Sequence, residues 1–405
     1  MRLIKYILLI SVTGSWLHGC IDPYFPDDLK YEKMLFIEAR ITDEPGFTPY
    51  VSFKHSSSIA GYDPWSGQNP WNRPAEPLIN TSGATVHVEN MQGQRWYFTE
   101  ENIAWLVPGP WPASGSYYTL TDPDFTLVEG ESYMLHIETQ DGHIFESQYE
   151  KYLPSPPVEE INYTYETWET SETGDATDGY RFYASTRSDD QDPLYLRWSL
   201  DASYAYMVPY IASYYWTGSA LIDTTNDGRR LCFMDETVNG IFTGTSEGLA
   251  ANRVINAPLH GVSRYGDRLQ VKYSLHVKQI RIPSSAYRFW NDLKSLLYET
   301  GGLYETVPFR LSGNISCVSH DDFKVAGLFE VAGVSETRIF VPNPGEFRVV
   351  TDRCVPDTIQ IFEWNQLPAG SWIMEEVPYL ITADRECFDC TAKGGYTGVP
   401  SFWEK

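Results

Sequence analysis

The sequence predicts a mainly β protein, with an N-terminal β-sandwich followed by a larger β-rich domain that has one clear helix. Apolar residues recur at period two. Leu35, Ile37, Ala39 and Ile41 alternate with Phe36, Glu38 and Arg40, and the spacing repeats for Ala84, Val86 and Val88 and for Tyr133, Leu135 and Ile137. This is the pattern of strands with one buried face. Asp141-Gly142, just before Ile144 and Phe145, is a hairpin signal. A convincing helical period appears over residues 286–298, where Tyr287, Trp290, Leu293, Leu296 and Leu297 share one stripe.

In chain order, Arg2 and Lys5 precede an apolar run from Tyr6 to about Trp16. A spanning helix needs about 20 apolar residues, so this run has the length and flanks of a signal peptide. It ends Leu17-His18-Gly19-Cys20, which resembles the bacterial lipobox, with His18 where a small residue is usual. The expectation is a lipoprotein leader over residues 1–19, cleavage before Cys20, and acylation of that cysteine with palmitate-type chains. Two or three acyl chains hold a protein on a membrane far better than one. Residues 20–33, with two prolines and three aspartates, read as a tether.

Residues 34–153 are assigned to the sandwich. Within them, residues 55–83 are rich in Gly, Pro, Ser and Trp and read as a long surface loop, and Tyr62, Trp65 and Trp71 are candidate contact residues. Leu153-Pro154-Ser155-Pro156-Pro157 is a linker, because successive prolines resist both helix and central strand. Residues 158–405 form the second domain. Its strand-like runs are 180–186, 194–200, 231–233 and 269–282, and its helix spans about 285–298, opened by Pro283-Ser284-Ser285 and stopped at Gly301-Gly302.

The formal charge is −24, from 30 basic and 54 acidic residues. Such a chain repels phosphate backbones, which argues against nucleic acid as a partner. Besides Cys20 there are Cys232, Cys317, Cys354, Cys387 and Cys390. An exported chain can keep disulfides, and five is odd, so one thiol stays unpaired within the chain. Cys232, Cys354, Cys387 and Cys390 are the disulfide candidates. Cys387-Phe388-Asp389-Cys390 could also be a redox pair or half a zinc site.

No catalytic constellation stands out. The eight histidines are scattered, and His136 and His276 sit inside strand patterns where structural roles are expected. Among 54 acidic residues, candidate pairs for glycoside hydrolysis are too numerous to mean anything. Asp223 to Gly228 begins like an EF-hand loop, but Met234 occupies the position of the bidentate Glu. No metal site and no cofactor are expected. The remaining lead is aromatic: Tyr204, Tyr206, Tyr210, Tyr214, Tyr215 and Trp216 fall in a stretch with few charges. They form either core or, if exposed, a contact surface. With Trp65 and Trp71, the residues Tyr210, Tyr214, Tyr215 and Trp216 are candidate ligand or partner contacts.

Several landmarks occur in a recognisable order: Cys20, then Ile-Glu-Ala-Arg-Ile-Thr-Asp-Glu-Pro-Gly from residue 37, Gly-Ala-Thr-Val-His-Val-Glu-Asn at 83–90 and Val-Glu-Gly-Glu-Ser-Tyr-Met-Leu-His-Ile-Glu-Thr-Gln-Asp-Gly at 128–142. Further on come Val-Lys-Gln-Ile at 277–280, Ala-Tyr-Arg-Phe-Trp at 286–290, Cys-Phe-Asp-Cys at 387–390 and a final Gly-Gly-Tyr-Thr-Gly-Val-Pro-Ser-Phe-Trp. Together they resemble the DUF4249 family of Bacteroidota lipoproteins over nearly the whole mature chain. The resemblance implies an outer-membrane lipoprotein, often encoded beside a TonB-dependent transporter, and carries over no catalytic residues. The first unit is also similar to carboxypeptidase-regulatory-like and immunoglobulin-like sandwiches. The functional expectation is a non-enzymatic accessory or ligand-capture partner of such a transporter, on the cell-surface side in preference to the periplasmic one. The alternative is a glycan-binding protein or glycan hydrolase of the envelope.

Overall fold

The computed structural model describes residues 35–55, 80–101, 116–169, 176–224, 228–298, 311, 313–345 and 354–403. Strand takes up 53% and helix 9%, so the fold class is mainly β, as the alternating pattern predicts. The first strands are β1 (Leu35–Thr42), β2 (Tyr50–His55), β3 (Thr85–Asn90), β4 (Arg95–Tyr97), β5 (Thr99–Glu101), β6 (Tyr117–Thr119), β7 (Ser132–Glu138), β8 (Ile144–Ser147) and β9 (Glu150–Lys151). After the proline segment come β10 (Val158–Glu169), β11 (Ala176–Arg187), β12 (Tyr195–Met207), β13 (Tyr214–Trp216), β14 (Leu221–Asp223), β15 (Leu231–Thr245), β16 (Arg253–Ser263) and β17 (Lys272–Arg281). Helix α1 (Ser284–Tyr298) precedes β18 (Ile315–Cys317), β19 (Val325–Pro342), β20 (Asp357–Gln360), β21 (Ser371–Glu376) and β22 (Tyr379–Ala383).

Eight strands make one large sheet in the order β15-β12-β17-β19-β1-β2-β6-β5. The sheet is assembled from both ends of the chain. β1 pairs in parallel with the first part of β19 (Leu35 with Val325, Thr42 with Ala332), and β17 pairs antiparallel with the remainder (Arg281 with Gly333, Lys272 with Pro342). The other sheets run β18-β8-β7-β3-β4, with β9 beside β7; β10-β11-β16; and β14-β13-β21-β22-β20.

Two apolar cores lie on one face of the large sheet. The first gathers Leu35, Ile37 and Ile41 of β1, Phe53 of β2, Phe329 and Val331 of β19, and Val86, Val88, Tyr133, Leu135 and Ile137 of the facing sheet. The inward alternation read from the sequence holds in β1 and β7, while in β3 His87 is buried along with Val86 and Val88. The second core joins Tyr273, Leu275 and Val277 of β17, Val341 of β19, and Trp198 and Leu200 of β12 to Phe182, Val254 and Leu259 of the β10-β11-β16 sheet. Phe329, Val331 and Val341 are all odd-numbered residues of one strand. Period two puts them on the same side, so the two small sheets sit side by side against one long sheet. The sandwich predicted over residues 34–153 thus also draws on β18 and the first half of β19, which return to it from far along the chain.

Between the cores, residues 153–157 run across β19 at Gly333. A Cβ there would collide with backbone atoms of Leu153, Pro154 and Ser155. The segment is pinned: Gln279 Nε2 donates to the carbonyl of Pro156 at 2.8 Å, Ser335 Oγ donates to the same carbonyl at 2.8 Å, and Arg281 Nη1 donates to the carbonyl of Pro154 at 3.2 Å. Gln279 is fully buried and Arg281 almost so, and buried polar groups need such partners. The linker is a wedge.

On the opposite face, α1 covers Leu328 and Ala332 of β19 and Ile280 of β17 with Ala286, Tyr287, Phe289 and Trp290. Its first two turns do the packing. Leu297 is exposed, so the buried stripe is shorter than the sequence period suggested. Replacing Gly333 by Val should destabilise the protein by about 3 kcal/mol, because backbone must move to admit the side chain. Gly345→Val, where a Cβ meets nothing within 4 Å among the described residues, should stay within about 0.5 kcal/mol. Urea unfolding of the two variants checks the contrast.

Candidate functional site

The site begins with a register. On the helix-facing side of the large sheet, Phe36, Glu38 and Arg40 of β1 stand beside Ala326, Leu328 and Glu330 of β19. The same three residues stand beside Lys54, Ser52 and Tyr50 of β2. Phe289, Trp290 and Leu293 of α1 form a wall above these rows and close a groove of about 260 Å3. One end and the wall are apolar; the other end is ionic.

Glu330 anchors the ionic end with only 2% of its side chain exposed. Arg197 of β12 donates to it at 3.0 Å, Arg40 at 3.4 Å and the Trp290 indole N–H at 3.3 Å, while the Arg197 guanidinium lies over the Trp290 ring at 4.7 Å. Burial alone would raise the Glu330 carboxyl. The two guanidiniums prevail and hold it at about 2. Such a carboxylate stays ionised and has no proton to give as a general acid. Glu38 is occupied differently, accepting from the Tyr50 hydroxyl at 2.7 Å.

The triad carries one positive charge in excess, two arginines against one carboxylate. Its donors are also underused. Nε of Arg40 and Nε of Arg197 are buried and have no hydrogen-bond partner among the described residues. The sequence held one hint of this site: Glu330 is the only charge in the run Ala326–Val334, and a fully buried carboxylate requires a partner. Its partners lie 290 and 133 residues away, and no local pattern reveals them.

The residues singled out from the sequence fall elsewhere. Cys20, Tyr62, Trp65 and Trp71 lie outside the described residues. Trp216 is buried, with its indole N–H donating to the carbonyl of Leu367 at 2.9 Å and its ring edge-on to Trp364. It is part of a core and offers no ligand contact. Tyr214 and Tyr215 are half-buried in β13, Tyr215 against Trp372, and Tyr210 packs on Phe388. Tyr210 to Trp216 serve the small β13–β22 sheet, whereas Tyr204 and Tyr206 belong to the second core.

The four candidate cysteines form two disulfides, Cys232–Cys390 and Cys354–Cys387, and Cys317 is free and buried. Cys387 and Cys390 thus bond to different partners, which excludes a redox pair between them. Cys232–Cys390 staples the C-terminal segment to β15, and Cys354–Cys387 closes a loop within that segment. Asp389 lies between Cys387 and Cys390, fully buried, and takes the Arg385 and Arg229 guanidiniums at 2.8 and 3.2 Å. No group of three or more metal-ligating side chains occurs among the described residues.

Fold and groove together define a multi-sheet β protein with a helix-lipped cleft. The chain belongs to the family described as Domain of unknown function (DUF4249), whose model matches residues 21–338 and so includes every wall of the groove. No curated protein matches the chain. Among solved structures, it is similar to a tetra-tandem repeat in the extending region of a large adhesion protein, at 8% identity and a TM-score of 0.17. That comparison covers 81% of this chain, which spans about half (51%) of the other.

Removing one member of the triad strands the others. Glu330→Leu should cost about 3–5 kcal/mol, whereas Arg40→Met, Arg197→Met and Glu330→Leu combined should recover most of it. Because the Glu330 carboxyl is depressed in the folded state, its stabilisation is present above the unfolded value near 4.3 and is lost as pH falls toward 2. Denaturant titrations across that window should show a larger acid loss in the native protein than in the triple variant, where other depressed carboxylates such as Asp389 and Asp190 still contribute.

Proposed function

We propose that the protein is a lipid-anchored, non-enzymatic binding protein of the outer membrane that captures a ligand for a TonB-dependent transporter. The observation that carries this reading is the groove. Its walls come from a helix and three strands of the large sheet, β1, β2 and β19, an arrangement suited to holding a ligand without rearrangement. Its carboxylates are committed to arginine and tyrosine, which favours binding over turnover at this site. Support for the location comes from the Leu17-His18-Gly19-Cys20 sequence. The two disulfides suit an oxidising compartment.

Affinity capture of the natively expressed chain from gently solubilised membranes tests the reading. A transporter-sized β-barrel protein should co-purify, and Cys20→Ala should release the chain from the membrane fraction. A chain recovered alone at native abundance, or one still membrane-bound without Cys20, would overturn it.

A further inference from the structure

The groove's chemistry narrows its ligand, and this step rests on the groove being the capture site. Arg40 sits at the boundary between the ionic end and the apolar wall, with 20% of its side chain exposed. A guanidinium has five N–H donors. Among the described residues, Arg40 has a single side-chain hydrogen bond, the long one of 3.4 Å to Glu330, and its Nε has none. The other oxygen of Glu330 takes Arg197 at 3.0 Å, the shorter of the two guanidinium contacts. A buried donor left unmatched is costly.

The local charge agrees. Arg40, Arg197 and Glu330 sum to one positive charge; the neighbouring Glu38, which also acts on Arg40, accepts from Tyr50 and is offset in charge by Lys54 at 3.6 Å. The triad is thus a positive spot in a chain of net charge −24. At physiological salt, charges beyond about 8 Å are largely screened, so the spot acts on its own neighbourhood. The apolar part of the lining comes from Phe36, Phe289, Trp290, Leu293, Ala326 and Leu328, and β2 adds Tyr50, Ser52 and Lys54. A volume of 260 Å3 equals about nine waters and lies below the usual range for drug-sized ligands, ~300–1,000 Å3.

The geometry points to a small apolar carboxylate as the ligand class: an aromatic or aliphatic body of about ten heavy atoms, matched to that volume, with its carboxylate on Arg40. The planar guanidinium favours a planar, two-oxygen acceptor. The body lies against Phe289, Trp290 and Leu293, and a change in Trp290 surroundings reports its arrival.

Isothermal titration calorimetry and tryptophan fluorescence of the full chain, with 3-phenylpropionate, 3-phenylpropanamide and 3-phenylpropylamine as probes, test this directly. The carboxylate should bind at least tenfold more tightly than the amide or the amine. Arg40→Gln should abolish that preference, and Leu293→Trp, which fills the groove and leaves Arg40 intact, should weaken all three probes by tenfold or more. Octanoate should compete with 3-phenylpropionate. Equal binding of carboxylate and amide would overturn the anion assignment while leaving a ligand groove in place. Binding of no probe, or binding unaffected by Leu293→Trp, would overturn the groove as the capture site. Should Arg40→Gln fail to fold, Leu293→Trp and the three-probe comparison decide the matter without it.

Discussion

Strand β19 borders β1 on one edge along its first half and β17 on the other along its second, and both faces of its middle are covered. Residues 326–333 are buried without a break, the signature of a strand enclosed on two sides. Everything functional hangs on that enclosure. Phe329 and Val331 complete the first core, Val341 the second, and Leu328, Glu330 and Ala332 face α1. The strand is at once a shared wall of two sandwiches and the floor of the groove. Its two close approaches need glycine. At Gly327 a Cβ would meet Ile315, and at Gly333 it would meet the proline segment.

The second constraint is electrostatic. A carboxylate inside the molecule is tolerable because three donors converge on it from β1, β12 and α1. Those donors come from both parts of the chain, so the triad reports whether β1, β12 and the helix are correctly placed around β19. Buried ion clusters of this kind add less stability than specificity, since an apolar replacement is often as stable. Its retention in the wall of a cleft is therefore consistent with a role in recognition. Arg40, with a fifth of its side chain exposed, gives the groove its polarity.

Much of the fold was legible in the sequence because it is local. Leu35 to Ile41, Val86 and Val88, and Tyr133 to Ile137 face inward as their spacing requires, and α1 starts close to Pro283. What was not legible is pairing across distance. Nothing near Val325 says that it lies beside Leu35, and nothing near Leu153 says that a glycine at 333 will receive it. For the same reason the prolines read as a linker when the segment is in fact wedged in place by Gln279, Arg281 and Ser335. The site was harder still. Aromatic density drew attention to Tyr210–Trp216, which supplies a core, whereas the groove depends on Arg40, Arg197 and Glu330, ordinary charges until the fold brings them together.

The central claim is that β19 makes the two sandwiches one cooperative body. Native-state hydrogen exchange resolved along that strand tests it most directly. Amides from 325–332, beside β1, and from 333–341, beside β17, should open with a common free energy equal to that of global unfolding. Two plateaus separated by more than about 2 kcal/mol, with one half exchanging while the other stays protected, would contradict it.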